Sequence, residues 1–405
     1  MGKRTSQVGP HGDPLPRRKR RTLLGSVVRV ALVVVGVVAV LFLIGGWHFS
    51  NQIESGALAP PKSGPPDFEW TVTDVGSTIS LQAGPKTDQA GEAGLSGLWW
   101  EGGYGQSGDL ISSTDGDGGY TDVRSLHPGT PTPEVGTDLK VDFYYWRGTP
   151  ADIGVDYTTV RYSSDIGSFP AWFIEGDSDT WAIVLHGKGG TPEEALRIIP
   201  ILQAEGYPIL VINYRNDVGQ ERDPSGRHTY GVSDWVDVAA AVTYARDNGA
   251  RDHVLVGYSY AGSMIAGFLT QSPLRNSTKA AILDSPVLSF SDAVDFRASN
   301  TDLPLLPIKV PQVLTDFSKW IASWRFDVDW SASNYLEQAN NYFAPTLIFH
   351  GTNDISVPHD TSVAMAEERP DIVTLVSTDA GHTRSWNIGA DAYEAAIAEF
   401  LDSLD

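Results

Sequence analysis

Apolar and polar positions divide the chain into three regimes. Residues 30–47 carry no charge, and with 23–28 they make an apolar segment long enough to cross a hydrocarbon core of about 30 Å as a helix. Between 68 and 175 the pattern alternates with a period of two. Thr71-Val72-Thr73-Asp74-Val75, Thr78-Ile79-Ser80-Leu81 and Leu139-Lys140-Val141-Asp142-Phe143 read as strands, separated by turn clusters such as Asp115-Gly116-Asp117-Gly118-Gly119. Past residue 180, β-rich apolar runs at 181–185, 209–213, 254–256, 280–283, 346–349 and 373–376 have helical patterns between most of them. One helix opens at Thr191-Pro192-Glu193-Glu194, with Thr191 as cap, Pro192 in the first turn and Glu194 closing a capping box. Another places Trp235, Val238, Ala239 and Val242 on one face, and the last does so with Tyr393, Ala396, Ile397, Phe400 and Leu401. Strand alternating with helix predicts a mostly parallel sheet covered on both sides, an α/β fold. The alternation breaks at 288–340, where Phe317, Trp320, Trp324, Phe326, Trp330 and Tyr335 mark an aromatic-rich insert expected to form a helical cap.

Charge decides how the first regime is read. Residues 1–29 hold eight Lys and Arg against Asp13 alone, +7 in a chain of net charge −21, so the remainder carries −28. The run Arg17-Arg18-Lys19-Arg20-Arg21 borders the apolar segment, Arg29 can snorkel to the same side, and Trp47 suits the opposite interface. We therefore expect a basic cytoplasmic tail (1–22), a transmembrane anchor (23–47) in the lipid bilayer and a Pro/Gly/Ser tether (48–67). A β-rich segment (68–175) and a catalytic domain (176–405) should follow outside the cell membrane. A cleaved signal is the competing reading. Ala57-Leu58-Ala59 resembles a cleavage box but lies far past the apolar run and precedes Pro60-Pro61. Arg20-Arg21-Thr22-Leu23-Leu24 resembles a twin-arginine signal with an unusually apolar sequel. The acidic body repels nucleic acid, which excludes that partner. The absence of cysteine removes thiol nucleophiles, Cys-ligated zinc, iron–sulfur clusters and disulfides, and leaves the redox compartment open. Oligomeric state is not legible.

Candidate chemistry sits where strands end. The run Val254-Leu255-Val256-Gly257-Tyr258-Ser259-Tyr260-Ala261-Gly262 ends a buried strand in a serine flanked by small residues, as a sharp strand-to-helix turn requires. Ala261 stands where the strict G-x-S-x-G pattern has glycine. After 181–185 comes His186-Gly187-Lys188-Gly189-Gly190, a glycine-rich turn whose backbone N–H groups, with that of Tyr260, suit an oxyanion hole. His186 is read as structural. After 346–349 comes Asp354, an acid able to fix a histidine tautomer, and after 373–376 comes His382, a general base. Asp284 is the alternative acid, more simply a strand-end aspartate bonded to backbone. His228, His253 and His359 match no role and read as solvated loop positions. No metal-binding spacing occurs and no cofactor is expected. The 115–119 cluster lacks EF-hand spacing and reads as a turn.

Taken in order, LHGKGG, VINYRND, VGYSYAGS, LIFHGTNDISVP and DAGH over residues 165–405 resemble the α/β-hydrolase superfamily. The likeness is to its prolyl oligopeptidase and serine-aminopeptidase side, and to membrane-anchored actinobacterial hydrolases. The resemblance implies Ser259 as nucleophile, His382 as base, Asp354 as acid and N–H groups near Lys188 and Tyr260 as oxyanion donors. It also implies a serine hydrolase acting on a small-molecule ester or peptide through an acyl-enzyme. Acyl transfer to another acceptor, a cofactor-free peroxidase, or a non-catalytic cell-envelope module are the alternatives on the same fold. The segment 68–175 resembles nothing with an assigned function.

Overall fold

The computed structural model describes residues 2, 18–64, 66–85, 87, 90–116, 118–303 and 307–404. Most of the expected basic tail, and Asp117 of the turn cluster, lie outside them. The apolar regime is one unbroken helix, α1 (Arg18–Ile53), and it is long and apolar enough to cross a membrane. It runs six residues beyond the expected end of the anchor at 47. There is a packing reason: Phe49, Ser50 and Ile53 turn inward against the body, so the last two turns are held by tertiary contact. The expected tether is docked as well. Its first residues finish α1, Glu54–Leu58 form a single π-helical turn, Leu58 is buried, and its carbonyl accepts a hydrogen bond from His228 N at 2.8 Å.

The period-two regime closes on itself. Strands β1 (Trp70–Val75), β2 (Thr78–Ala83), β3 (Ser96–Trp100), β4 (Gly103–Gly116), β5 (Gly119–Leu126) and β6 (Asp138–Asp142) form a closed barrel in the order β1-β2-β5-β4-β3-β6. Alternate residues fill it: Trp70, Val72, Ile79, Leu81, Leu98, Leu139 and Val141. Closure leaves the barrel no free edge.

The second sheet begins earlier than the expected boundary at 176. Strands β7 (Thr158–Ser163) and β8 (Ser168–Ile174), read from sequence as part of the β-rich segment, form an antiparallel hairpin on this second sheet. β9 (Thr180–Leu185), β10 (Ile209–Ile212), β11 (Asp252–Tyr258), β12 (Thr278–Asp284), β13 (Thr346–Gly351) and β14 (Val373–Thr378) complete it. The order is β14-β13-β12-β11-β9-β10-β8-β7, parallel from β14 through β10, with β10 antiparallel to β8. Every residue of β9, β10 and β13 is buried, as strands covered on both faces require. Each fully buried Val, Leu or Ile contributes about 1.5–3 kcal/mol.

The covering helices are α2 (Ile199–Ala204), α3 (Trp235–Asp247) and α4 (Tyr260–Gln271), with α7 (His359–Glu368), α8 (Ser385–Ile388) and α9 (Ala390–Asp402) later in the chain. Between β12 and β13 the insert supplies α5 (Phe290–Asn300) and α6 (Gln312–Phe326), the cap. The capping box expected at Thr191 is absent. A 3-10 helix, Pro192–Arg197, starts there without a side-chain cap bond, because Glu194 turns inward to accept from Gly187 N at 2.8 Å.

Barrel and sheet are stapled next to the last helices. Asn387 Nδ2 donates to Leu95 O (2.8 Å) and Phe143 O (2.9 Å). Gly94, at φ +81°, lies so close that a Cβ would come within 2.3 Å of Asn387 O, so only glycine fits.

Candidate active site

β11 runs buried to its end and α4 starts one residue later, so the chain must reverse at Ser259. It does so at φ 51°, ψ −112°, a strained conformation for a residue with a side chain. Small neighbours make the turn possible. A Cβ on Gly257 would sit 3.2 Å from Ala261, and one on Gly262 would sit 2.4 Å from Pro286 Cβ. The turn is locked by Ser259 N donating to Asp284 O at 2.8 Å and Val287 N donating to Ser259 O at 3.1 Å.

Three residues that sequence places far apart meet here. Ser259 Oγ and His382 Nε2 are 2.8 Å apart, and His382 Nδ1 and Asp354 Oδ2 are 2.6 Å apart. Asp354 is fixed by its own loop, since Oδ1 accepts from Ser356 N (2.7 Å) and Val357 N (2.9 Å). Burial pushes its carboxyl upward, but hydrogen bonds from His350 and His382 and the His382 charge outweigh that and hold it well below the usual carboxylate range. Such an arrangement can draw a proton from the serine hydroxyl while the carboxylate steadies the imidazolium.

The loop after β9 passes beside the serine. Gly187 packs against it, with a constructed Cβ 3.4 Å from Ser259 Cβ, and Gly187 N is taken by Glu194. The next N–H, of Lys188, and the N–H of Tyr260 at the first position of α4 have no acceptor among the described residues. Burial raises the Glu194 carboxyl, with the Arg197 guanidinium 3.5 Å away opposing it.

Several supporting residues have no signature in the sequence. Ser285 and Thr383, at φ 50° and 52°, join Ser259 as strained positions of the site. Thr383 N donates to Ser285 Oγ (3.0 Å), and buried Arg197 donates to Thr383 O (3.0 Å), so the loop bearing His382 is held from two sides. His350 lies behind the acid, with Nε2 3.3 Å from Asp354 Oδ2 and Nδ1 2.7 Å from Ser362 Oγ. Its place at the end of β13, four residues before Asp354, was the available signal. Asp284 is buried beside Ser285 Oγ (3.1 Å), a side-chain contact where a backbone one was expected, and does not bond His382. Burial raises it to about 6 against the Arg197 charge.

Among the other histidines, His186 is structural as read, between Asp217 Oδ2 (3.1 Å) and Gly187 O (2.8 Å). The solvated-loop reading fails for His228 and His253. Both are buried, His228 edge-on to Tyr260 and His253 bonded to Thr278 Oγ1, because their neighbours fold inward over α4 and β11. His359 stays near the surface and reaches Ser377 Oγ at 2.8 Å.

A cavity of about 410 Å³ opens on Ser259 and His382. The barrel and its exit form one wall through Trp99, Lys140, Asp142 and Arg147. Arg147 lies 4.3 Å over the Trp99 ring and pairs with both Asp142 (2.5 Å) and Glu193 (2.6 Å). No group of three or more metal-ligating side chains occurs among the described residues.

An eight-stranded, mostly parallel sheet with a serine elbow after β11 and a cap between β12 and β13 is an α/β-hydrolase. More narrowly, the chain belongs to the prolyl oligopeptidase family, whose profile matches residues 196–403. Acylamino-acid-releasing enzyme 1 of Oryza sativa subsp. japonica is 27% identical over 188 residues, 44% of this chain. The chain spans only 23% of that relative's length. Among solved structures, the Pyrococcus furiosus esterase Pf2001 superposes in two crystal forms. The TM-scores are 0.51 and 0.50 at 22% and 21% identity, over 64% of this chain and 95% and 96% of that one. The likeness is one of fold.

Proposed function

We propose that the chain is a membrane-anchored hydrolase that cleaves an ester or amide bond through Ser259, His382 and Asp354. The observation that carries the reading is the continuous contact from Ser259 Oγ through His382 to Asp354, at 2.8 and 2.6 Å. His382 Nε2 takes the serine proton as Oγ attacks the carbonyl carbon. The N–H groups of Lys188 and Tyr260 receive the developing oxyanion. His382 then returns the proton to the leaving group, and a water activated by the same imidazole releases the acyl group from Ser259. Asp354, kept ionised by its hydrogen bonds, holds Nδ1–H toward itself throughout. Serine at the elbow supports acyl transfer. The names of the relatives, an esterase and an acylamino-acid-releasing enzyme, suggest small acyl esters or acylated peptides as substrates.

The proposed layout has the basic tail inside (1–22), α1 as the anchor, and barrel, cap and the sheet bearing Ser259 outside. The apolar length of α1 and the basic run before residue 22 support it. One experiment tests chemistry and topology together, a membrane-impermeant fluorophosphonate probe added to intact cells. Wild type should label and Ser259→Ala should not. Labelling of wild type only after lysis reverses the orientation. No labelling even then, or equal labelling of Ser259→Ala, removes the assignment of Ser259 as nucleophile.

A further inference from the structure

The cap is bound to the anchor at a depth that the anchor itself dictates. One stripe of α1 (Phe42, Gly45, Gly46, Phe49, Ser50 and Ile53) faces the body, and α6 is its main partner there. Phe42 and Phe317 rings are 5.0 Å apart, and Leu314 packs on Gly45 and with Phe49. Arg325 stacks 3.9 Å over Trp47 and bonds Ser50 Oγ (2.9 Å) and Asn51 Oδ1 (2.7 Å). The continuously apolar part of α1 ends at Trp47, before His48, Ser50, Asn51 and Gln52. From Arg29 to Trp47 the helix rises roughly 27 Å at about 1.5 Å per residue, close to the full hydrocarbon thickness of about 30 Å. A span that keeps Arg29 at one interface therefore puts Trp47 at the other. Phe42 then lies about 7 Å deeper. Phe317 touches it, so α6 cannot stand clear of the bilayer.

The outward face of α6 has the chemistry for that position. Val313, Phe317, Trp320 and Trp324 fall at steps of four, three and four, one stripe of a helix. Val313 is 63% exposed, Trp320 64% and Trp324 75% among the described residues. Two exposed tryptophans beside a spanning helix are what a membrane interface selects, an apolar ring with one polar N–H. The opposite face (Leu314, Ser318, Ile321, Ala322) is buried in the protein. Asp316, at the edge of the stripe, is held by Gln312 Nε2 at 3.0 Å and lies 3.8 Å from Lys319.

From this we infer that α6 is a second membrane element: it lies in the outer interface of the bilayer that α1 spans, with Trp320 and Trp324 among the lipid headgroups. The inference rests on the anchor reading, and the test separates the two. The chain has no cysteine, so single-cysteine variants take one nitroxide label each without background. Leu32→Cys, Trp320→Cys, Trp324→Cys and Ser403→Cys in the full chain would be reconstituted in phosphatidylcholine/phosphatidylglycerol vesicles. Collision of the label with oxygen, which partitions into lipid, is compared with collision with a water-soluble nickel chelate. Positions 320 and 324 should show an oxygen-to-nickel ratio about ten-fold above position 403, as for a helix buried some 5–10 Å into the headgroup boundary. Position 32 should be higher still. A lipid value at 32 with water values at 320 and 324 overturns the inference and keeps the anchor. A water value at 32 overturns both. Low collision with both reagents at 320 and 324 assigns that face to a second protein copy and also overturns it.

Discussion

Replacing Asp354 by Asn changes one oxygen to an amide nitrogen, and the surrounding backbone decides which. Ser356 N and Val357 N both donate to Asp354 Oδ1, so an asparagine must present its carbonyl there and its NH2 at the Oδ2 position. That NH2 then faces His382 Nδ1, 2.6 Å away in the parent, and can only donate to it. The imidazole is forced into the tautomer with its proton on Nε2, pointing at Ser259 Oγ, where it cannot accept the serine proton. The acyl-enzyme step should slow by about 10³- to 10⁴-fold, or roughly 4–5.5 kcal/mol of barrier. Folding should be little affected, since the two loop hydrogen bonds survive. The assay is kcat/KM on p-nitrophenyl acetate, with circular dichroism confirming the fold. If Asp354→Asn keeps more than about a tenth of parental turnover, well short of the loss a misplaced tautomer brings, the acid is elsewhere. Asp284, buried at the neighbouring strand end, would be next to test.

Two further outcomes are expected. Burial holds His228 down at about 3, helped by the Lys188 and His186 charges, and His253 at about 4, helped by Arg246. An unfolded histidine binds its proton below about 6.5 while these two stay neutral, so stability is full above that pH and falls as pH drops through the window. At pH 4.5 each should cost on the order of 2–3 kcal/mol, and His228→Asn should flatten the pH dependence of the urea midpoint between 6.5 and 4.5. An unchanged slope would falsify the burial argument. Separately, Gly351→Ala places a Cβ 2.1 Å from Ala380 O, backbone that has no rotamer to yield. It should destabilise the protein by about 1–3 kcal/mol and lower turnover by displacing the loop that carries His382. Parental Tm and turnover together would show that the loop moves freely.

How much of this was legible in the sequence follows from the range of each interaction. β9 through β14 were readable because a strand buried on both faces must be apolar along its whole length. The residues following those strands were readable because parallel topology brings their ends to one edge. Ser259, Asp354 and His382 could be put in order for that reason, and their contacts then follow from the fold. β7 and β8 were misplaced because alternation looks the same in a barrel and in an edge hairpin, and only pairing with β10 distinguishes them. Glu194 kept the position of a capping residue while its side chain answered to Gly187 N, a choice made by burial and not by spacing. Ser285, Thr383 and Arg197 act through contacts across 98 and 186 positions, beyond any local pattern. The docking of α1 on the cap was hidden similarly, because an apolar stripe facing protein and one facing lipid have the same composition.

The unbroken run of α1 into the body has a mechanical consequence. A disordered leash would let the catalytic unit sweep a hemisphere and sample its surroundings in three dimensions. Here Ile53 is the end of the same helix that carries Val30, and Glu54–Leu58 are fastened at once to loops beside the sheet, Gly56 O to Lys188 Nζ (2.7 Å) and Ala57 O to Tyr230 Oη (3.0 Å). For a chain anchored as proposed, the height and tilt of the cavity are therefore those of the helix, like a lamp fixed to a mast. Encounter becomes a two-dimensional problem. What the proposed active site meets is then set by lateral diffusion and by how far a substrate protrudes from its own membrane.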